Sequence, residues 1–205
     1  IESGFPNRKQ EDWKFLDISQ IIKKNISDLS FFNDYSIPNK IDQSTFVDGL
    51  EHNKIIFING RIEKIDFTYE DQNKIEIKDE IKKDILFNYE NSLIDLNNAF
   101  THKVFKIFIK KNYSLKKPLI IYHSTDNKIK STNINLRLDF ELEENSCLRL
   151  VDFFTDNTAK NFINIFYNFN LEKDAILKNY KIDKFKNDNL KYSFNNIEQG
   201  NNSVS

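Results

Sequence analysis

The sequence predicts a mainly β protein, in which a parallel β-helix follows a smaller N-terminal region of mixed helix and strand. Three observations predict it. Short apolar or alternating runs follow one another from residue 104 onward, with polar clusters between them and no long helical pattern. The segment FELEENSCLRL, which begins at Phe140, is echoed 29 residues later by FNLEKDAILKN, which begins at Phe169. A third, looser copy, IEQGNNSVS, begins near Ile197.

The repeat favours stacked coils. A period of this length with strands and small turn residues is typical of a solenoid, because one coil cannot bury its apolar face alone and packs on the next. A parallel β-helix fits best, and an antiparallel sandwich with similar strands is the alternative. The predicted strands are VFKIFI, LIIYH, INLRLDFEL, CLRLVDFF, FINIFYNFNL, ILKNYKI and LKYSF.

The N-terminal region carries different patterns. Residues Lys9 to Asn25 have the apolar spacing of an amphipathic helix. In IIFINGRIEKI, from Ile55 to Ile65, the dipeptide Asn59-Gly60 separates two apolar runs and predicts a β-hairpin. A short strand is predicted at Ile75 to Ile77, and Ile81 to Phe100 returns to helical spacing in two short pieces.

Composition limits the function classes. The chain of 205 residues contains 19 Phe and 8 Tyr, enough large apolar side chains for a packed core. Its net charge of -1 argues against nucleic acid as a partner, because phosphate binding needs an excess of basic residues. No apolar run reaches the roughly 20 residues that span a bilayer, so no membrane segment is predicted. A single Cys excludes an internal disulfide and favours a reducing cytoplasm.

No catalytic, cofactor-binding or metal-binding residue is predicted. Cys147 occupies the position that Ile176 takes in the next copy of the repeat, so its side chain is expected to face the core as a structural residue. The three histidines, His52, His102 and His123, are far apart in the sequence and do not have the spacing of a zinc site. The chain also lacks a glycine-rich phosphate-binding loop, so ATP hydrolysis is not expected.

Two charged groups have both a functional and a structural interpretation. Glu141, Glu143 and Glu144 could form a paired acid–base site, but they are interpreted as a solvated rim beside a turn. Four lysines flank a second turn and could attract an acidic partner. They are instead interpreted as residues that protect strand edges. These lysines are Lys110, Lys111, Lys116 and Lys117.

Three motifs resemble the SufB/SufD family of iron–sulfur cluster assembly scaffolds, in its SufD branch. GFPNRKQEDWKFLDI, from Gly4 to Ile18, is similar to the opening motif of that branch, and it departs at Leu16, where the family usually has Thr. IIFINGRI resembles the family's hairpin. Residues Leu96 to His123 resemble the segment that leads into the β-helix. The order and spacing of the three motifs agree with the family.

The resemblance implies a right-handed parallel β-helix over residues 101–205, after an N-terminal α+β helical domain over 1–100. It implies that later coils and a C-terminal helical domain lie beyond Ser205. The function implied is that of a non-enzymatic scaffold subunit of the cytoplasmic SUF complex, paired with SufB and with the ATPase SufC. No cofactor is expected in this chain, since the Fe–S cluster would form transiently at the SufB–SufD interface. None of the three histidines falls in the family's cluster-assembly motif.

Two other functions remain open at this point. The chain could be a SufB-type paralogue, although the motif around Trp13 argues against that. It could also be a carbohydrate-active or carbohydrate-binding β-helix protein, which would need an acidic or aromatic groove.

Overall fold

The computed structural model describes residues 8–9, 11–15, 17, 19–20, 30–31, 46–81, 91–126, 129, 131–155, 160–184 and 189–205. Within them the protein is mainly β, with eleven strands and a nine-residue helix, α1 (Ser92–Phe100). The strands are β1 (Ser30–Phe31), β2 (Asn53–Ile58), β3 (Arg61–Asp66), β4 (Ile75–Ile81), β5 (Lys103–Ile109), β6 (Leu119–Ser124), β7 (Thr132–Leu142), β8 (Cys147–Thr155), β9 (Phe162–Leu171), β10 (Ile176–Lys184) and β11 (Leu190–Gln199). No helix in these ranges is long and apolar enough to cross a bilayer.

The strands form two mixed sheets. The first sheet has the order β11-β9-β7-β5-β4, with β1 beside β7, and the second has the order β10-β8-β6-β2-β3. Consecutive strands from β5 to β11 alternate between the two sheets, and within each sheet they pair in parallel. The antiparallel sandwich is therefore wrong for these seven strands, all of which the sequence had predicted. Antiparallel partners, β4 and β3, lie at one end of each sheet.

The 29-residue repeat corresponds to the register in which the parallel strands pair. Phe140 pairs with Phe169 in the first sheet, and their rings stack with centroids 4.9 Å apart. Cys147 pairs with Ile176 in the second sheet. The third copy is confirmed as well, because Phe169 in turn pairs with Ile197. Alternate side chains of both sheets meet between them and form the main apolar core.

Helix α1 covers part of the outer face of the first sheet. Its residues Leu93 and Leu96 pack against Phe162 of β9, and Trp13 and Tyr192 join the same cluster. The Trp13 and Tyr192 ring centroids lie 5.9 Å apart. The side-chain amide of Asn91 caps the helix by accepting a hydrogen bond from the Leu93 backbone N–H at 3.0 Å.

The predictions for the N-terminal region have mixed outcomes. The hairpin is confirmed, because β2 and β3 are antiparallel and Asn59 and Gly60 have φ values of 51° and 77°, as a tight hairpin turn requires. The strand at Ile75 is confirmed and is longer than predicted. Of the helical pattern over 81–100, residues 82–90 lie outside the described residues and the remainder contains α1.

Most of the helix predicted over residues 9–25 also lies outside the described residues. The described part contains a 3-10 turn at Glu11–Trp13. The division of the chain at residue 100 stays a prediction. Strands on both sides of it share the two sheets, since β2 pairs with β6 and β4 pairs with β5.

Residues with a left-handed backbone conformation occupy equivalent positions in one set of turns between the sheets. Asn112, Asn145, Asp174 and Asn202 have φ values of 58°, 57°, 57° and 59°. Asn and Asp tolerate this conformation better than other residues that carry a Cβ. The turns stack through backbone hydrogen bonds, such as the one from the Asn145 N–H to the Lys173 carbonyl at 3.0 Å. The side chains add a bond from Asn145 Nδ2 to Asn112 Oδ1 at 3.1 Å.

Replacing Asn145 tests this turn. We expect Asn145→Val to unfold with a free energy about 1–2 kcal/mol lower than Asn145→Gly, because a β-branched residue is strained at positive φ whereas glycine is not. Both variants lose the amide side chain, so the difference between them isolates the backbone strain. Urea denaturation followed by circular dichroism measures it, and equal stability of the two variants would contradict a left-handed turn at this position.

Candidate functional site: an interior polar cluster

Strand β8 places a carboxylate inside the protein core. Leu148, Leu150 and Phe154 belong to the apolar core between the two sheets. Since side chains alternate along a strand, Asp152 points the same way. Its side chain is 0% exposed.

Four further ionisable side chains are connected to Asp152, one of them, Asp183, only through Lys191. His123 Nε2 of β6 lies 2.8 Å from Asp152 Oδ1 and 3.1 Å from the Tyr167 hydroxyl of β9. Lys191 Nζ of β11 lies 3.8 Å from Asp152 Oδ2 and 2.5 Å from Asp183 Oδ1 of β10. We call these five residues the interior polar cluster. It connects five strands and both sheets.

Aromatic rings hold the cluster in place. The His123 ring lies between the rings of Phe57 and Phe154, at centroid distances of 5.4 Å and 5.7 Å and within 12° of parallel to each. Lys191 Nζ lies 5.2 Å from the centroid of the Phe154 ring, a distance at which the cation interacts with the face of the ring. The imidazole orientation is therefore determined by packing as well as by its polar contacts.

Burial and charge act in opposite directions on Asp152. Burial opposes ionisation, but the neighbouring His123 and Lys191 and the Tyr167 hydroxyl outweigh it and lower the pKa of Asp152 to about 2. Burial, followed by the charge of Asp152, raises the pKa of Tyr167 well above its ordinary value. Neither Asp152 oxygen has a hydrogen bond of good geometry within the described residues, so its contact with His123 is chiefly electrostatic.

The cluster has the chemical groups of an acid–base site, but the cavity that the described residues form beside it is too small for a substrate. A small cavity beside it is lined in part by Gly60, His123, Ser124 and Phe154, and has room for about one water molecule. The described residues also contain no group of three His, Cys, Asp or Glu side chains that could hold a metal ion. The geometry supports charge pairing inside the core.

The expectation that Cys147 faces the core is wrong. Cys147 is only partly buried, and its neighbour Leu148 is the residue that enters the core. Its register partner Ile176 is 37% exposed. An apolar residue at the equivalent position of the repeat therefore did not indicate an inward direction, because both residues lie on the outer face of the second sheet.

The three histidines remain separate. His123 alone belongs to the interior polar cluster. His52 is partly buried, with Nε2 2.9 Å from the Tyr122 hydroxyl and Nδ1 2.6 Å from the Leu50 carbonyl oxygen. His102 is exposed at the end of α1.

Three of the four turn lysines form ion pairs with glutamates. Lys110 pairs with Glu143 at 3.0 Å and Lys111 with Glu144 at 2.5 Å. Lys117 pairs with Glu51 at 2.7 Å. These pairs favour the structural interpretation of both groups, because the lysine charges are already matched.

The remaining members of the two groups contact other polar residues. The Lys116 backbone N–H donates to Glu70 at 3.1 Å. Glu141 accepts a hydrogen bond from Asn170 at 2.8 Å, and burial raises its pKa.

Asp152, Tyr167 and Lys191 were not identified from the sequence. One local feature of the sequence indicates that Asp152 faces the core. In CLRLVDFF it stands two residues after Leu150 and therefore on the same face of the strand as that apolar residue. An acidic residue at a core-facing position indicates a buried pair, because an unpaired buried charge costs several kcal/mol. Its partners lie on other strands and in the other sheet, where sequence spacing does not identify them.

No protein-family profile and no curated protein matches this sequence.

Proposed function

We propose that this chain is a non-enzymatic scaffold subunit of SUF-type iron–sulfur cluster assembly, of the SufD type, in the cytoplasm. The observation that carries the proposal is the parallel register of the repeat, in which Phe140 pairs with Phe169 and Phe169 with Ile197. Stacked parallel strands are what the resemblance implies for the same residues. The hairpin at Asn59-Gly60, one of the three similar motifs, supports the proposal independently.

The finer fold is part of the same proposal: strands β5 to β11 form coils of a right-handed parallel β-helix. The alternation of successive strands between two sheets supports it, because each pair of strands in one sheet is then joined through a strand of the other. Crossover connections between parallel strands of one sheet are right-handed in nearly all proteins, which supports the handedness. The cluster under assembly would be cargo held at an interface with SufB.

Co-expression tests the scaffold role. The protein that contains this chain is expressed with a tag, together with the SufB-type and SufC-type proteins of the same source. We expect both to co-purify with it through affinity and size-exclusion steps. The matched control pairs the tagged protein with SufC alone and with SufB alone, which separates the two contacts. Absence of a complex in all three arms would overturn the proposal.

Two assays on purified protein distinguish the alternatives. A SufB-type paralogue would hold an Fe–S cluster itself, so a stable cluster absorption on this chain after anaerobic reconstitution with iron and sulfide contradicts the SufD assignment. A carbohydrate-active β-helix would release reducing ends from polysaccharides, and such release would overturn the scaffold role. We expect neither result.

A further inference from the structure

The turn between β5 and β6 contains two residues that have no counterpart in the turn between β7 and β8, which stacks on it. Ser114 stands beside Cys147 and Leu119 beside Leu150, so the four residues 115–118 lie opposite only two, 148 and 149. An insertion of this kind leaves backbone groups without partners in the neighbouring strand. Because buried backbone groups are nearly always paired, these groups take their partners from elsewhere.

One carboxylate binds two amides of the insertion. Glu70 Oε1 accepts hydrogen bonds from the Lys117 backbone N–H at 3.0 Å and from Asn53 Nδ2 at 2.7 Å. Its Oε2 accepts from the Lys116 backbone N–H at 3.1 Å and from the Tyr113 hydroxyl at 2.7 Å. Glu70 is only 8% exposed. Burial raises its pKa, but the four hydrogen bonds outweigh burial, so the pKa of Glu70 lies below its ordinary value.

The carbonyl groups of the insertion are bound as well. Arg149 Nη2 donates to the Lys116 carbonyl at 3.0 Å. The Lys117 carbonyl accepts from Asn53 Nδ2 at 3.0 Å, and the Pro118 carbonyl accepts from the Asn53 backbone N–H at 2.9 Å. Residues on both sides therefore hold the insertion, Arg149 from β8 and Asn53 from β2.

Glu70 belongs to the connection between β3 and β4, residues 67–74, which lies against this turn. At its start, Phe67 is buried in the main apolar core. At its end, the Lys74 carbonyl accepts a hydrogen bond from the Lys110 backbone N–H at 3.0 Å. Since β3 and β4 are the last strands at one end of the two sheets, the connection covers the turn and that end of the core together.

The opposite side of the same turn contacts the next turn through backbone groups. The Cys147 N–H donates to the Tyr113 carbonyl, and the Leu115 N–H donates to the Cys147 carbonyl, both at 3.0 Å. Stacked turns pair in this way, and the first turn of a stack has one side on which no coil is present. On that side the Glu70 carboxylate occupies the place of backbone carbonyls.

We propose that residues 67–74 are a cap that closes this end of the stacked turns, with the Glu70 carboxylate in place of the backbone of a further coil. The two amides that it binds are not available to the backbone of another chain, so the stack of turns is not extended at this end. The inference does not depend on the proposed function.

Hydrogen exchange of the full chain, measured by mass spectrometry with fragmentation to single amides, tests the cap. We expect Glu70→Gln to accelerate exchange at the amides of Lys116 and Lys117 by about tenfold or more, because an NH2 group then faces two donors. Amides of β7 and β9 are expected to stay within about twofold. Glu51→Gln is the matched control, because Glu51 pairs at 2.7 Å with the side chain of Lys117 and is 64% exposed. We expect that control to change the same two amides by less than about twofold.

Glu70→Asp separates the reach of the side chain from its charge. It keeps the carboxylate but is shorter by one CH2 group, so we expect the same two amides to exchange about tenfold faster here as well. Full protection in Glu70→Asp would overturn the cap, since charge alone would then suffice. An equal acceleration in β7 and β9 would overturn it too, because the substitution would then weaken the whole fold. Lack of protection at both amides in the unsubstituted protein would overturn it whether or not the variants fold.

Discussion

Phe169→Ala is expected to lower the free energy of unfolding by about 3–5 kcal/mol. The Phe169 side chain is fully buried and stacks on the rings of Phe140 and Tyr167, at centroid distances of 4.9 Å and 6.0 Å. Truncation removes the buried area and leaves a cavity between the two sheets, which close-packed neighbours fill only in part. Urea denaturation monitored by circular dichroism measures the change.

Tyr180→Ala is the matched control for the aromatic substitution. Tyr180 lies on the next strand of the chain, on the outer face of β10 in the second sheet, and is 58% exposed. Its removal is expected to change the free energy of unfolding by less than about 1 kcal/mol. A Phe169 effect as small as the Tyr180 effect would show that the stacked register is wrong.

Asp152→Asn is expected to lower the free energy of unfolding by about 3 kcal/mol at pH 7, because it removes the buried negative charge that faces both His123 and Lys191. Asn is nearly the same size as Asp, so the change acts on charge and hydrogen bonding rather than on volume. Asp174→Asn is the control, because Asp174 is at a turn with positive φ that Asn also adopts. A loss below 1 kcal/mol would mean that the interior polar cluster is not an ionised group.

The pKa of Asp152 also predicts how the stability difference between the unsubstituted protein and Asp152→Asn changes at low pH. Folding lowers that pKa from an ordinary 3.8 to about 2. A depressed carboxylate pKa contributes stability above the unfolded value, and that contribution is lost as pH falls through the folded value. We therefore expect the advantage of the unsubstituted protein over Asp152→Asn to shrink by about 2 kcal/mol between pH 5 and pH 2. A constant difference over this range would contradict it.

The scaffold proposal and the interior polar cluster can fail separately. Co-purification with SufB and SufC tests the resemblance around Trp13 and the family's mode of assembly. The comparison with Asp152→Asn tests only contacts that the described residues make, chiefly those of Asp152 with His123 and Lys191. A protein that forms the complex but loses less than about 1 kcal/mol on this substitution would keep the function and lose the ionised cluster.

The sequence by itself determined the seven strands from residue 104 onward, the repeat and the hairpin turn. Alternation along a strand is a local property, so each of the seven runs from VFKIFI to LKYSF was recognisable as a strand. The echo of Phe140 at Phe169 predicted the register, because stacked coils place equivalent residues side by side. Asn59-Gly60 predicted the hairpin, since positive φ at both positions restricts which residues fit there.

Only the tertiary structure decided which polar residues meet. His123, Asp152 and Lys191 lie on β6, β8 and β11, and their contact depends on how the two sheets face each other as well as on the register within each sheet. The direction of Cys147 was decided in the same way, by the neighbouring Leu148 entering the core. Charges attract one another across the space between the two sheets. Sequence periodicity describes only which face of its own strand a residue occupies, so it does not predict which charges meet.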